Sequence, residues 1–272
     1  MSKKLISCFI FLLLTCLISC GGSGSGSTST LANGLVAYWA FSEGSGTTVV
    51  DSSANDNSGV VVGAEWVTGQ SGNALHFDGV DDSVQIPEVG GTPPTDISSL
   101  SVGSISIWFK FDDEADATGY YLPVFYIGPA VGAVETYDGV IIEVGHLGIA
   151  ELAPNNQEVF YTVTTDGTTE PTFCFDSGSN LTAAEWQHFV VTVDSSGNKG
   201  YLNGSEMTAR DFNFGTATDS YFLDSVSAGL LSIGYGRSAT DGEMRYFKGS
   251  IDEIRIYNRA LTAAEISELY SL

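Results

Sequence analysis

Residues Tyr246 to Tyr270 read YFKGSIDEIRIYNRALTAAEISELY, a strand-like run that passes directly into a capped, amphipathic segment. Alternation with a period of two places Asp252, Ile254 and Ile256 on one face and Glu253, Arg255 and Tyr257 on the other. Asp252 is therefore expected where the isoleucines point. A carboxylate there has to be paired, hydrogen-bonded or bound to a metal, because an isolated buried charge is too costly. Glu253 and Arg255 can stay in water. After the strand, Thr262 can accept from the Glu265 amide while Glu265 reaches back, and Leu261 can pack on Ile266. This capping box and its hydrophobic staple predict a short closing helix.

The same period runs through the rest of the chain. Ile105, Ile107, Phe109 and Phe111 alternate with Ser104, Ser106, Trp108 and Lys110, and Phe189, Val191 and Val193 alternate with His188, Val190 and Thr192. Asp78-Gly79, Asp138-Gly139, Asp166-Gly167 and Asn203-Gly204 are turn signals, and 32 glycines support many tight connections. Two helical pieces are expected, Leu181-Thr182-Ala183-Ala184-Glu185 and Leu261-Thr262-Ala263-Ala264-Glu265, each a capping box. Strands and turns with two short helices give an all-β, two-sheet antiparallel sandwich, with short helical turns and a C-terminal helix.

Four blocks and the closing motif carry a resemblance. They are LVAYWAFSEGSGTTVVDSS (Leu35–Ser53), ALHFDGVDDSVQIP (Ala74–Pro87), SISIWFKF (Ser104–Phe111) and EWQHFVVTVDSSGNKGYLNG (Glu185–Gly204), followed by GSIDEIRIYNRAL. In this order they resemble a bacterial laminin-G-like, concanavalin A-like jelly-roll domain, whose superfamily includes lectins, pentraxins and carbohydrate-binding modules. The resemblance implies a jelly roll over roughly residues 33 to 270. One fold hosts many functions, so it does not fix the activity.

At the other end, Lys3 and Lys4 precede an apolar run from Leu5 to Ile18, then Ser19-Cys20 and a Gly/Ser tract. A run this short falls below the ~20 residues that a spanning helix needs and reads as a secretory leader. Leu17-Ile18-Ser19-Cys20 resembles a lipobox, which implies cleavage before Cys20 and lipidation of that residue; the plainer reading is an ordinary leader with Cys20 incidental. Acyl chains would then tether the protein rather than let it span. The expected organisation is residues 1–19 as leader, 20–32 as lipidated cysteine and flexible linker, and 33–272 as the jelly roll. By resemblance to lipoproteins, Gly21 after the cysteine implies the outer membrane. Cys8 and Cys16 leave with the leader, so Cys174 alone remains in the domain, where it reads as a buried, inert thiol.

Without Lys3 and Lys4 the chain has eight basic against 33 acidic side chains, a net charge of −25, and no Lys or Arg lies between Gly21 and Phe109. Such a surface disfavours nucleic acid and anionic headgroups, which need basic patches. It suits divalent cations, neutral glycans or simple solubility in a saline habitat.

Calcium takes six to eight oxygen ligands from loops. Asp51, in the segment Asp51–Gly59, and Asp252 are the candidate ligands of a structural calcium, because in the resembled fold the first and last strands lie close together and a calcium often sits near the counterpart of Asp252. The competing reading has Asp51 forming an Asx-turn and Asp252 accepting backbone amides. Glucanases of the same superfamily carry two glutamates about an aspartate on one strand, since retaining hydrolysis needs carboxyl groups about 5–5.5 Å apart. Here Glu114-Ala115-Asp116 is followed by Thr118 and Gly119 where the second glutamate should stand, so no catalysis is expected. His188 is expected to make a structural hydrogen bond, and Glu143 and His146, three apart on a strand, point to opposite faces. Sugars stack on rings; the stretch from Tyr120 to Tyr137, with Trp66, Tyr221, Tyr235 and Tyr246, supplies the eligible ones. The expectation is a lipid-anchored envelope protein that binds extracellular or cell-surface glycan without changing it. An adhesive domain holding another envelope protein is the alternative, and a divergent polysaccharide-degrading enzyme comes third.

Overall fold

The computed structural model describes residues 30–86, 93–112, 121–129, 138–145, 157–165, 167, 170–237 and 243–272. The leader, Cys20, most of the linker, Glu114-Ala115-Asp116 and His146 lie outside the described residues. Residues Leu31–Leu272 form one compact unit.

Its elements begin with β1 (Leu35–Trp39), β2 (Thr48–Val49), β3 (Gly59–Val62), β4 (Glu65–Thr68), β5 (Asn73–Asp78), β6 (Ser83–Gln85), α1 (Thr95–Ser98), β7 (Gly103–Phe111), β8 (Leu122–Gly128) and β9 (Gly139–Gly145). There follow β10 (Glu158–Thr164), β11 (Phe173–Asp176), β12 (Gln187–Asp194), β13 (Gly197–Leu202), β14 (Ser205–Glu206) and β15 (Phe212–Phe214), then β16 (Leu230–Ile233), β17 (Tyr235–Arg237), β18 (Met244–Tyr246), β19 (Lys248–Tyr257) and α2 (Ala263–Ser271).

One sheet runs β14-β13-β12-β7-β19-β5-β4 and the other β15-β11-β10-β9-β8-β16-β6-β3-β2, with β17 and β18 as a separate hairpin. The closing strand β19 organises the first sheet. It pairs with β7 along one edge, and along the other with β5 through Lys248–Ile251 and with β1 through Ile254–Tyr257. Ile105, Ile107, Phe109 and Phe111 of β7 and Phe189, Val191 and Val193 of β12 pack in one core with Phe125, Ile142, Tyr161 and Phe175 of the second sheet, as their alternation predicts. Each such fully buried side chain is worth about 1.5–3 kcal/mol. At Asn203-Gly204 both residues take positive φ, +49° and +78°, the requirement of a two-residue hairpin turn between β13 and β14.

α2 closes the outer face of the first sheet. Thr262 accepts from the Glu265 amide and Glu265 reaches back to the Thr262 amide, as the capping box requires. Leu261, Ile266 and Leu269 seal a second apolar cluster against Val190, Tyr201 and Tyr257. Arg259 adds a two-pronged ion pair to Glu265 at 2.7 and 2.9 Å.

Sequence expectations are corrected at two places, and at the first of them Glu253 and Arg255 are also buried rather than left in water. Ile251 pairs with Phe109 and Asp252 with Trp108, and opposed residues share a face. Asp252 therefore lies on the outer, Trp108 side, not among the isoleucines. The register then shifts, so that Glu253 and Ile254 together oppose Ile107, and Glu253 takes φ +53°. This bulge spends one extra residue and turns Ile254 and Ile256 back into the core beside Trp39 and Ala37. A bulge breaks the period of two that strict alternation assumes. Its left-handed residue is held by side chains: the Tyr38 hydroxyl donates to Glu253, Arg255 lies 2.6 Å from Glu253, and the guanidinium stands 3.9 Å over the Tyr38 ring. The second correction is at Leu181–Glu185, which forms a turn rather than a helix. Ala184 is forced to φ +59° as its amide bonds the Phe111 carbonyl, which ends helical geometry at once.

Candidate functional site

The loop after β15 makes a polar cleft at one end of the sandwich. Its volume is about 470 Å³, and Asp219, Ser220, Tyr221, Asp224 and Ser225 wall it together with Ser101 and Thr218. A loop of Thr, Asp and Ser has no apolar stripe with which to hold itself, so buried groups hold it instead. Asn198 Nδ2 donates to the carbonyls of Thr216 and Asp219, the Tyr161 hydroxyl donates to the Tyr221 carbonyl at 3.1 Å, and the Asp224 amide donates to the Leu100 carbonyl. Asp219 Oδ2 accepts the amide and hydroxyl of Thr216, and Ser225 Oγ accepts the Phe222 amide. Tyr221 packs its ring on Phe173. Burial raises the Asp224 carboxyl above its ordinary value, opposed by its own amide and the Ser225 hydroxyl. Among the rings eligible from sequence, Tyr221 is the one in this cleft.

The outer face of the second sheet carries a row of carboxylates that sequence reading missed. Phe160 pairs with Glu143 on one side and Asp176 on the other, so three strands bring these residues into line. Thr162 Oγ1 donates to Glu143, and Asp176 accepts from the Gly178 amide and from Asn213 Nδ2. Glu158 is pushed up to about 7, first by burial and then by the charge of Asp176 and a hydrogen bond with it. Tyr121 meets Phe160 edge to face. Glu143, Phe160 and Asp176 are buried, which leaves Glu158 as the accessible acid of the row.

The expected calcium ligands occupy separate networks. Asp51 Oδ1 accepts the amides of Tyr38 and Ser53, and Oδ2 accepts the Ser53 hydroxyl and the Asn57 amide. Four donors fill that carboxylate, and the bond to Ser53 is an Asx-turn. Asp51 therefore does not fit a metal. Asp252 does fit. It is fully buried, Oδ2 accepts the Ser71 amide at 3.0 Å, the Glu253 and Gln70 amides also favour its charge, and Oδ1 makes no hydrogen bond of good geometry. Burial pushes its carboxyl up to about 7 against the pull of the Ser71 amide. A methyl group on Gly69 would fall 2.5 Å from Asp252 Oδ2 and 2.6 Å from the Asn73 carbonyl, so these oxygens converge. Asn73 also ties the loop bearing Glu43 by donating to the Ser42 carbonyl, and Glu43 Oε2 is a second buried oxygen without a partner. Glu43 escaped the sequence reading because an acid in a Gly/Ser loop reads as solvated. Asp78, Asp81 and Asp82 bring carboxylate oxygens within 4.8 Å of one another, but Asp78 and Asp82 each already accept a backbone amide inside that turn.

The other residues singled out in the sequence lie elsewhere in the fold. His188 Nε2 bonds Ser106 Oγ at 2.8 Å, as expected, and its ring stacks on Trp108, which in turn stacks on Tyr270. Burial, then the Arg255 charge, lowers His188 to about 3 and keeps it neutral. Cys174 is buried and pushed up to about 12, an inert thiol. Of the ring-rich stretch, Phe125 is in the core and Tyr121 and Tyr126 are buried, while Tyr120 and Tyr137 lie outside the described residues. Tyr235 and Tyr246 stack 4.6 Å apart on the β17–β18 hairpin, and Trp66 is half-buried on an edge strand. No helix among the described residues is long and apolar enough to cross a membrane.

Comparison with known proteins agrees with this architecture. A family model described as the concanavalin A-like lectin/glucanases superfamily, of the laminin-G type, matches residues 77–267. Usherin of Rattus norvegicus is 31% identical over 115 residues, which are 42% of this chain and 2% of usherin. Domain 4 of AbnA, a GH43 extracellular arabinanase from Geobacillus stearothermophilus solved with arabinotriose, superposes with a TM-score of 0.55 at 20% identity, over 87% of this chain and 98% of that one. Trypanosoma rangeli sialidase in complex with sialic acid gives a TM-score of 0.57 at 16% identity, over 93% of this chain and 35% of that one. At these identities the structural likeness concerns the fold.

Proposed function

The chain belongs to the concanavalin A-like lectin/glucanase superfamily, and from that premise we propose that it is a lectin-like module of the cell envelope that binds extracellular carbohydrate without cleaving it. The observation that carries the reading is the polar cleft of Tyr221, Asp219 and Asp224, whose walls are held by buried Asn198 and Tyr161. A fixed ring beside convergent acceptors is what a sugar requires, since its C–H face stacks and its hydroxyls donate. The arabinotriose carried by the AbnA domain supports the same reading. Against retaining hydrolysis speaks the sequence, where Glu114-Ala115-Asp116 lacks the second glutamate that a carboxyl pair ~5–5.5 Å apart requires.

Calcium belongs to the proposal as a structural ion, held by Asp252 with the Asn73 carbonyl, where it would neutralise a buried carboxylate. Tethering belongs to it through lipidated Cys20, with the outer membrane as the destination. A glycan array run with calcium and again with chelator tests the function. Binding to at least one glycan class in calcium is the expected result, and a blank in both conditions would overturn the reading. Cys20→Ala should move the protein from the membrane fraction to the soluble one. The adhesive alternative has its own observation, the exposed valines Val60 and Val62 of β3 and Val50 just after β2, and retained pull-down of an envelope protein beside a blank array would favour it.

A further inference from the structure

Resting on the glycan-binding reading, we infer that the end cleft is the glycan site and that it selects a sugar residue with free vicinal hydroxyls and no acidic substituent. The side chains walling it offer two carboxylates, hydroxyls and one ring, with no Lys, Arg, His, Asn or Gln among them. Ionised carboxylates only accept hydrogen bonds, so the complementary ligand must donate, and a pair of adjacent hydroxyls does so. Asp219 is set for this role. Its Oδ2 is committed to Thr216, which fixes the carboxylate plane and leaves Oδ1 for a ligand. Asp224 is exposed at the opposite end of the segment, and Tyr221 between them presents a half-buried ring fixed by its contact with Phe173.

The same charges exclude. A uronate, sulfate or phosphate entering the cleft would meet two carboxylates with no cation among the described residues that wall it, in a chain whose net charge is −23. Like-charge juxtaposition of this kind discriminates strongly between partners. An amine-bearing sugar would be accepted, since the ammonium that replaces one hydroxyl is itself a donor attracted by the carboxylates and the chain end keeps a vicinal hydroxyl pair. Because the loop backbone is already held by Asn198, Tyr161 and the Leu100 carbonyl, little ordering is needed on binding. A cleft of about 470 Å³ lies within the ~300–1,000 Å³ range of small-ligand sites, so it has room for a sugar ring.

Calorimetric titration of the purified protein in calcium tests this with three kinds of probe: neutral arabino-, gluco- and manno-oligosaccharides, chitosan oligosaccharides, and oligogalacturonates. The expected result is binding by a neutral or amine-bearing probe and at least tenfold weaker binding of oligogalacturonate. Asp224→Asn, an exposed change, should weaken the bound probe about tenfold, the usual loss for a charged hydrogen bond. Ser220→Trp, also at an exposed position, should block the cleft outright, with circular dichroism confirming that both variants fold. Oligogalacturonate binding as tightly as neutral probes, or neutral binding undiminished in both variants, would overturn this assignment and leave glycan binding standing elsewhere. Absence of binding by all three kinds would instead overturn the glycan reading itself.

Discussion

The two outer faces of the sandwich respond to protons in opposite directions, and the difference traces to what covers them. On the first sheet, α2 and the Trp108–Tyr270 stack seal His188 away from water, and burial holds the imidazole neutral, down to about 3. On the second, Glu158 and Asp176 share a hydrogen bond, and burial with the neighbouring charge lifts Glu158 to about 7. A sealed base and a crowded acid both resist ionising. The base therefore opposes folding as pH falls, and the acid opposes it as pH rises.

The largest expected effect comes from the sealed base. His188 is neutral in both states above pH 6.5; as pH falls from 6.5 toward 3 the unfolded chain takes up a proton that the folded chain refuses, and stability is lost. The full loss is on the order of 4–5 kcal/mol, from ~1.4 kcal/mol per pKa unit. Urea unfolding between pH 8 and 4 should show this acid limb, and His188→Gln should flatten it while lowering stability at pH 8. A limb of unchanged slope in His188→Gln would place the acid sensitivity elsewhere.

Asp252 breaks the pattern of the first face, because it is a buried acid that burial and the Glu253 charge push up to about 7. A cation at Asp252 would hold it ionised. At 100 times its dissociation constant, calcium should stabilise the fold by about 2.7 kcal/mol. Removing it with chelator should lower the unfolding midpoint of the native protein and leave Asp252→Asn unmoved. A midpoint indifferent to chelator in the native chain would refute the site. The helix that seals this face can be loosened more gently. Thr262→Ala removes the cap that accepts from Glu265 and should cost about 1 kcal/mol, read from the same unfolding curves.

Much of this architecture was legible because it is local. The alternation in β7 and β12, the Thr262 capping box and the Asn203-Gly204 turn are each written within a few residues, and each forms as expected. What was not legible depends on two distant segments at once. The face of Asp252 is decided by the bulge at Glu253, which Tyr38 and Arg255 hold in place, and nothing in the alternation announces it. The turn at Ala184 arises because Phe111 takes its amide. Glu143, Phe160 and Asp176 line up because β9, β10 and β11 are neighbours, and the end cleft exists because Asn198 and Tyr161 reach a loop that has no motif of its own.

The smallest effect belongs to the crowded acid, and it carries the opposite sign. Below about pH 4.5 Glu158 is protonated in both states. Between 4.5 and 7 the unfolded chain has released the proton and the folded chain keeps it, so stability falls as pH rises through that window and is level above it. Glu158 is only partly buried, and solvent screening makes this slope shallower than that of His188. From 4.5 to 6.5 the two faces therefore pull against each other, and the native chain should show a flattened profile there. Glu158→Gln keeps a group able to donate to Asp176 but does not titrate. It should steepen the acid limb of the native protein, because this opposing slope is gone, and in a His188→Gln background it should reduce the residual dependence from 4.5 to 7 to the part that Asp252, also raised to about 7, contributes. Were the double variant to retain the slope of His188→Gln alone, the shared proton would not lie on the second face.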